Sequence, residues 1–373
     1  MSHRLAVARA AEAAGFEVHV AAPDHHVWAP DNFTVDDLRR AGFQFHQIPL
    51  SRRGTNPFQD LETFLSLVRL YRRLRPDVVH HLTIKPVLYG GLAARLTGVK
   101  GVVATVTGLG QIFVAVGLQM TLLRRAILLL YRLAARHPNM RLIVQNSNDG
   151  DVLVNAGVIF PRNIELIRGS GATMTEFLPT PEPSGVPLVI LPARLIWEKG
   201  VAEFVDAARM LKNKGIQARF ALVGDTQPSN PRAVPETILR QWQAEGVIEW
   251  WGRRNAMAQV YAEASVVCLP TTYGEGVPKV LIEAAASGRP IVTTDTPGCR
   301  EVAREGENAL LAPPGDKKKL ALALEQILAD KCLRARLGAR GREIAVAEFD
   351  EKDVATRTVA IYRTLHSLPA KPA

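Results

Sequence analysis

Two glutamates, Glu275 and Glu283, and two cations, Arg194 and Lys199, stand where their side chains could do chemistry. The glutamates lie in the segment Tyr273-Gly274-Glu275-Gly276-Val277-Pro278-Lys279-Val280-Leu281-Ile282-Glu283. An apolar strand pattern leads into this Gly-flanked loop, and a helix is expected to start near Pro278 and stop at Gly288. Free N–H groups and the positive dipole end at such a helix start suit a diphosphate. Carboxylates that hydrolyse one bond between them face each other at ~5–9.5 Å. The helical rise from Pro278 to Glu283 is already about 7.5 Å, and the loop from Glu275 adds to it. The spacing therefore points to two grips along one longer ligand, one on a sugar and one on a ribose diol. Arg194 follows the apolar run 188–191, and Lys199 precedes Gly200, where the next helical pattern opens. Cations in a strand-to-helix loop at the carboxyl end of a parallel sheet lie where phosphates bind.

These residues need a scaffold, and the chain supplies the pattern for one. Short β-branched runs alternate with longer helical patterns, the signal for parallel sheets covered by helices. Strands are expected at 17–21, 43–47, 78–80, 101–106 and 142–145, then at 188–191, 219–223, 248–251, 266–269 and 291–293. Helical periodicity marks 61–74 and 120–135. The Pro-rich stretch 178–187 reads as a linker. The expected organisation is an α/β protein with an N-terminal domain at 1–177, a C-terminal domain at 187–348, and a final segment 349–373 whose helix near 354–365 crosses back to the first domain. A doubly wound domain opens on a strand and a Gly-rich turn; here a helical pattern begins almost at Met1, so either the fold starts late or, the favoured expectation, about a dozen residues precede it.

Composition bounds the function. The 373 residues are 47% hydrophobic and 22% charged, globular values that exclude wholesale disorder. No run reaches the ~18–20 apolar residues that span a bilayer, and no secretion signal opens the chain. The cysteines Cys268, Cys299 and Cys332 lack metal-ligand spacing and read as reduced thiols of a cytosolic protein. Net charge is +10. Residues 1–180 hold 20 Lys and Arg against 13 Asp and Glu, and Arg69 to Arg136 holds eleven cations and the single acid Asp77. The asymmetry calls for an anionic partner. No recognition helix, zinc module or RNP-like run points to nucleic acid, so a membrane surface or a phosphate-bearing acceptor fits better.

The Glu275–Glu283 segment resembles the signature of retaining glycosyltransferases of family 4, a GT-B group in which seven residues separate two glutamates. The stretch Leu191-Pro192-Ala193-Arg194 through Lys199-Gly200 resembles the family's basic loop. Gly224-Asp225, Gly252-Arg253 and Thr294 through Glu301 follow in the family's order. The resemblance implies two Rossmann-like domains facing across a cleft. It implies that Arg194 and Lys199 clamp the donor diphosphate without a metal or other cofactor, that Glu283 binds ribose, and that Glu275 positions the donor sugar. Loop residues Gly276, Val277 and Pro278, with Gly224 and Arg253, are expected to complete the donor site. A UDP-sugar is the default donor, because uracil is the commonest base in the family.

The acceptor half resembles family members that extend lipid-linked oligosaccharides for capsule, O-antigen or glycoprotein glycans. The carrying segment is Val78-Val79-His80-His81 through Lys85 and Gly90. His80, His81, Lys85, Thr107, Gly108 and Gly110 are the cleft candidates, with Lys85 meeting an acceptor phosphate. Paired His80 and His81 without further ligands make a poor metal site; one is expected to be buried and the other to line the cleft. Thr107 stands where many members carry a histidine, and a threonine cannot act as a base near neutral pH. The segment Phe113–Arg136 reads either as an amphipathic helix on a membrane or as a core helix with snorkelling arginines. The expected setting is cytoplasmic, on the inner face of the plasma membrane. Two alternatives remain open at this point: a UDP-sugar epimerase of the same fold, and a non-catalytic subunit.

Overall fold

A computed structural model describes residues 2–23, 34–50, 56–109, 118–227 and 230–367. Two compact units emerge: Met1–Ser170 with Lys352–Ala373, and Gly171–Glu351.

The first unit runs α1 (Ser2–Ala13), β1 (His19–Ala22), α2 (Val35–Arg40), β2 (Gln44–Gln47), α3 (Pro57–Leu74), β3 (Val78–Leu82) and α4 (Ile84–Thr97). It continues through β4 (Gly101–Val106), α5 (Leu118–Ala135), β5 (Met140–Val144), α6 (Ser147–Asn155) and β6 (Ile164–Leu166). Strands β1 and β2 pair in parallel, and β3-β4-β5-β6 form a parallel sheet in that order. Strand β4 is buried at every position, so its side chains Val-Val-Ala-Thr-Val feed apolar layers on both faces. One layer joins Val102 and Ala104 to α3 and α4 residues such as Leu67, Tyr71, Val87 and Leu88. The other joins Val103 and Ile143 to Val7, Ala11, Val354, Val359 and Leu365. The last three belong to helix α14 (Glu351–Ser367), which from Lys352 onward is part of this unit.

The second unit runs β7 (Leu188–Pro192), α7 (Val201–Asn213), β8 (Arg219–Val223), α8 (Glu236–Ala244), β9 (Glu249–Gly252), α9 (Met257–Glu263) and β10 (Val266–Leu269). It closes with α10 (Lys279–Ala286), β11 (Ile291–Thr294), α11 (Pro297–Arg300), β12 (Ala309–Ala312), α12 (Lys317–Ala329) and α13 (Lys331–Glu348). Its six strands are parallel in the order β12-β11-β10-β7-β8-β9. The order reverses between β7 and β10, and ligands of such sheets bind beyond the strand carboxyl ends at that point. Alternate β7 side chains, Val189 and Leu191 against Leu188 and Ile190, enter two separate cores on opposite faces.

The sequence reading missed β6 and β12, edge strands of 3 and 4 residues. It also misread the Pro-rich stretch. The division falls at Ser170/Gly171, and residues 178–187 belong to the second unit. Buried arginines hold them there: Arg289 donates to the Thr180 hydroxyl, and Arg334 meets Glu182 at 2.8 Å. Proline prevents regular structure but not docking, because side chains elsewhere can satisfy the extended backbone.

Candidate functional site

At the carboxyl edge of the six-stranded sheet, the β7–α7 loop brings Lys199 against Glu275 of the β10–α10 loop. The Lys199 ammonium donates to Glu275 Oε2, and the two side chains are only 11% and 12% exposed. Lys199 also lies 5.7 Å from the Tyr273 ring centroid. The second Glu275 oxygen, Oε1, is buried and accepts no hydrogen bond. An acceptor held in that condition costs about 1–3 kcal/mol unless a donor arrives. Arg194, in the same loop as Lys199, is exposed.

Backbone packing draws these loops together. A Cβ on Gly200 would fall inside the Pro270 carbonyl, and one on Gly224 inside the Ala193 carbonyl. A Cβ on Gly298, in α11, would overlap the carbonyls of Gly276 and Glu275. Thr272 N–H and the Thr271 hydroxyl both donate to the Glu198 carbonyl, at 2.9 and 3.1 Å. On its other side the basic loop is braced by residues 230–234. Trp197 N–H donates to the Arg232 carbonyl, Val234 N–H to the Leu195 carbonyl, and Arg232 pairs with Glu198 at 3.0 Å. Gly276, Val277 and Pro278 are buried ahead of α10. Asp225 accepts from the Arg253 N–H at 2.8 Å and so ties the ends of β8 and β9, while the Arg253 side chain is exposed.

Glu283 sits inside α10 and is nearly buried. It accepts from the Tyr261 hydroxyl at 2.9 Å and faces the Lys279 ammonium at 3.4 Å. Burial raises its carboxyl above the ordinary value, against the pull of Lys279 and Tyr261. The two glutamates thus have separate partner sets. Tyr261 was missed in the sequence: it comes from α9, and no local spacing relates it to Glu283. Trp250 and Trp251 are part-buried against the two cores, as expected for filling residues; Trp250 also donates to the Gly224 carbonyl at 3.0 Å.

The first unit corrects part of the acceptor reading. His80 and His81 point to opposite faces of β3, and both faces are covered. The His80 ring bonds the Tyr362 hydroxyl of α14 through Nδ1 and the Thr105 hydroxyl through Nε2, at 2.7 Å. His81 Nε2 bonds the Tyr71 hydroxyl of α3 at 2.8 Å, and its Nδ1 is buried without a partner. Neither histidine is free to line a binding surface. Strand alternation places consecutive side chains on opposite faces, and each meets a helix. Lys85 is ion-paired with Asp60 at 2.7 Å. Thr107 is exposed after β4, and Gly108 adopts φ +113°, a left-handed conformation open to glycine. Gly110 and the start of the 113–136 segment lie outside the described residues.

Burial holds both β3 histidines neutral: His80 falls well below the usual imidazole range, and His81 to about 3. The unfolded chain therefore binds more protons than the folded one as pH falls below about 6.5. The first unit should lose stability from about pH 6.5 downward, with the His81 part continuing to about 3. Asp149, raised to about 6 by burial, works in the opposite direction over the upper part of that window. Urea midpoints measured from pH 7 to pH 4 should fall; a flat series would contradict the burial of neutral imidazoles.

Among the described residues no group of three or more His, Cys, Asp or Glu could hold a metal ion. Cys268 and Cys299 are buried, Cys332 is exposed, and all three are free thiols. No described helix is long and apolar enough to cross a membrane.

Two parallel α/β units, one carrying a cation–carboxylate pair at its strand carboxyl ends, define the GT-B class of glycosyltransferases. The solved structure of Anabaena Alr3699/HepE in complex with UDP superposes with a TM-score of 0.76 at 19% identity, covering 99% of this chain and 97% of that one. Residues 186–330 match the family Glycosyl transferases group 1, and residues 1–146 match Glycosyl transferase 4-like. The chain thus carries a glycosyltransferase 4-like domain followed by a glycosyltransferase group 1 domain. The Campylobacter jejuni N,N'-diacetylbacillosaminyl-diphospho-undecaprenol alpha-1,3-N-acetylgalactosaminyltransferase is 29% identical over 349 residues, 90% of each chain. The Escherichia coli UDP-Gal:alpha-D-GlcNAc-diphosphoundecaprenol alpha-1,3-galactosyltransferase is 24% identical over 315 residues, 80% of this chain and 77% of its own.

Proposed function

We propose that this glycosyltransferase moves a hexose or N-acetylhexosamine from a UDP-sugar to a hydroxyl of a polyprenyl-diphosphate-linked glycan, with retention of anomeric configuration. The observation that carries the donor half is the buried Lys199–Glu275 pair with its unpartnered Oε1. A sugar hydroxyl donating to that oxygen would satisfy it, while Arg194 and Lys199 meet the diphosphate. The acceptor class rests on the two relatives, both named for undecaprenyl-diphosphate-linked substrates. UDP rests on the E. coli relative's named donor and on the UDP-bound HepE structure. Retention rests on the family signature and on the alpha linkages in both relatives' names. An acceptor that is lipid-linked places the work at a membrane surface, on the cytoplasmic side where nucleotide sugars are made.

In this reading the acceptor oxygen bonds to the anomeric carbon as the bond from that carbon to the diphosphate oxygen breaks. The acceptor proton passes to the departing phosphate on the same face. Arg194 and Lys199 stabilise the negative charge that develops there, so neither a metal nor an N-domain base is required. His80 and His81, engaged inside the first unit, are consistent with a mechanism that asks nothing of them.

Purified protein given a panel of UDP-sugars with and without a lipid-linked acceptor tests the reaction. UDP release that depends on acceptor is expected. A new UDP-sugar formed without acceptor would instead mean epimerisation, and binding without turnover a non-catalytic subunit. For the donor site, Arg194→Ala and Glu283→Ala should each weaken UDP binding about tenfold or more, since charged hydrogen bonds contribute about 1.5–3 kcal/mol. Unchanged affinity in both variants, by calorimetry, would remove the proposed donor site.

A further inference from the structure

We propose that Tyr261 is the positioning residue that aims Glu283 at the ribose of the donor nucleotide, and that it thereby sets a preference for ribose over 2′-deoxyribose. This role rests on Glu283 being the ribose contact of the proposed donor site. It adds a side chain from another element, α9, which no local spacing relates to that glutamate.

Glu283 is an acid in an apolar place. Its helix neighbours Leu281, Ile282, Ala284, Ala285 and Ala286 are fully buried. Oε2 of Glu283 accepts from the Tyr261 hydroxyl at 2.9 Å, and Oε1 faces the Lys279 ammonium at 3.4 Å. Among the described residues Lys279 is its only ion-pair partner. Burying a carboxylate is costly, and one loose cation and one hydroxyl offset that cost only in part. Packing alone gives no reason for a charge there. Each carboxylate oxygen can accept more than one hydrogen bond, which is what the two O–H donors of a ribose diol require.

Tyr261 is held without freedom. Its side chain is completely buried, and its ring meets Phe177 edge-on with centroids 5.9 Å apart. The buried Arg289 guanidinium donates to the Tyr261 carbonyl at 2.7 Å and to the Ala262 carbonyl at 2.9 Å. The hydroxyl hydrogen has two acceptors in reach, Glu283 Oε2 and the Val280 carbonyl at 3.2 Å. The shorter contact, to a charged group, takes it. Burial beside the Glu283 charge holds the phenol well above its ordinary range, so it stays a donor. A long glutamate side chain loses entropy when a ligand orders it; a fixed hydroxyl orders it beforehand. The same bond favours the ionised carboxylate against the burial that raises it. Lys279 of the same helix helps, and Glu176, just before the Pro-rich stretch, opposes.

Calorimetric titration of the full chain with UDP and with 2′-deoxy-UDP tests this role. Wild type should bind UDP at least about tenfold more tightly than 2′-deoxy-UDP, the scale of one hydrogen bond to a charged group. Tyr261→Phe keeps the ring and removes the hydroxyl alone. It should weaken UDP binding about tenfold and 2′-deoxy-UDP binding much less, so that the preference narrows. On acidification its UDP affinity should begin to fall at a higher pH than the wild type's, because the bond favouring the ionised carboxylate is gone. In a Glu283→Gln background the same substitution should add almost nothing. Equal weakening of both nucleotides in either background, with a lower melting point, would make the tyrosine a packing residue and overturn the proposal. An unchanged preference and pH profile in Tyr261→Phe would overturn it too; in both cases the ribose contact of Glu283 stands. Wild-type protein that binds the two nucleotides alike, or does not bind UDP, would remove that contact and this proposal with it.

Discussion

Lys199→Met should unfold the second unit about 10 °C below the wild type and abolish sugar transfer. The pair it breaks is almost fully enclosed, with each side chain close to one-tenth exposed. Removing one member leaves the other as an uncompensated buried charge, a change that costs about 3–5 kcal/mol. For a unit of this size each kcal/mol lowers the midpoint by roughly 2–4 °C. Glu275→Leu should destabilise in the same way, because it strands the Lys199 ammonium. The informative variant is the double one, Lys199→Met/Glu275→Leu. Apolar groups of similar volume replace both charges, so most of the lost stability should return. Activity should not, because in the proposed reading Lys199 meets the departing diphosphate and Glu275 the sugar, and both are gone. A loss of about a hundredfold or more in kcat is expected, the scale seen when one preorganised electrostatic contact is removed. Calorimetric melting together with a UDP-release assay reads both quantities. If the double variant transferred sugar, the pair would be a structural device and the donor site would lie elsewhere.

Gly298→Ala is expected to be nearly as damaging, although it adds one methyl group. That methyl has nowhere to go. It overlaps the carbonyls of Gly276 and Glu275, and backbone on both sides leaves no flexible side-chain end to move aside. Either α11 retreats or the 275–278 loop shifts, and the second displaces Glu275 from Lys199. A displacement of about 1 Å at reacting groups costs on the order of a hundredfold in rate, so kcat/KM should fall by about that factor. Overpacking adds about 1–3 kcal/mol of destabilisation. Gly274 in the same loop supplies the control. A Cβ there meets nothing within 4 Å, and its backbone is not left-handed. Gly274→Ala should therefore melt with the wild type. Equal melting of Gly298→Ala and Gly274→Ala would show that the contact between α11 and the loop does not hold the site.

The elements that frame the candidate donor site were largely legible because their signals are local. The loop before α10 is announced by glycines, Pro278 stands at the helix start, and Gly288 lies just past its end. Turn chemistry of this kind acts within a few residues, so one stretch of sequence carries it. The same holds for Arg194 and Lys199, whose meaning came from a strand pattern on one side and Gly200 on the other. In the acceptor half one β3 histidine was expected to be buried, as His81 is, but the expected exposure of the other did not hold for His80. Their polarity suggested a binding surface, but the answer depended on Tyr71 and Tyr362, which lie 10 and 282 positions away and cover the two faces of β3.

The sequence by itself determined that strands and helices alternate and that the strands pair in parallel. Periodicity and turn residues encode these directly. Only the tertiary structure decided which charges meet and which surfaces are covered. Lys199 and Glu275 are separated by 76 positions and share one hydrogen bond. Three glycines let their loops close at backbone distance, the Pro-rich stretch is held by Arg289 and Arg334, and α14 joins the first unit. Each of these depends on what packs against a residue from far along the chain, and burial turns the same side chain from a ligand contact into a structural one.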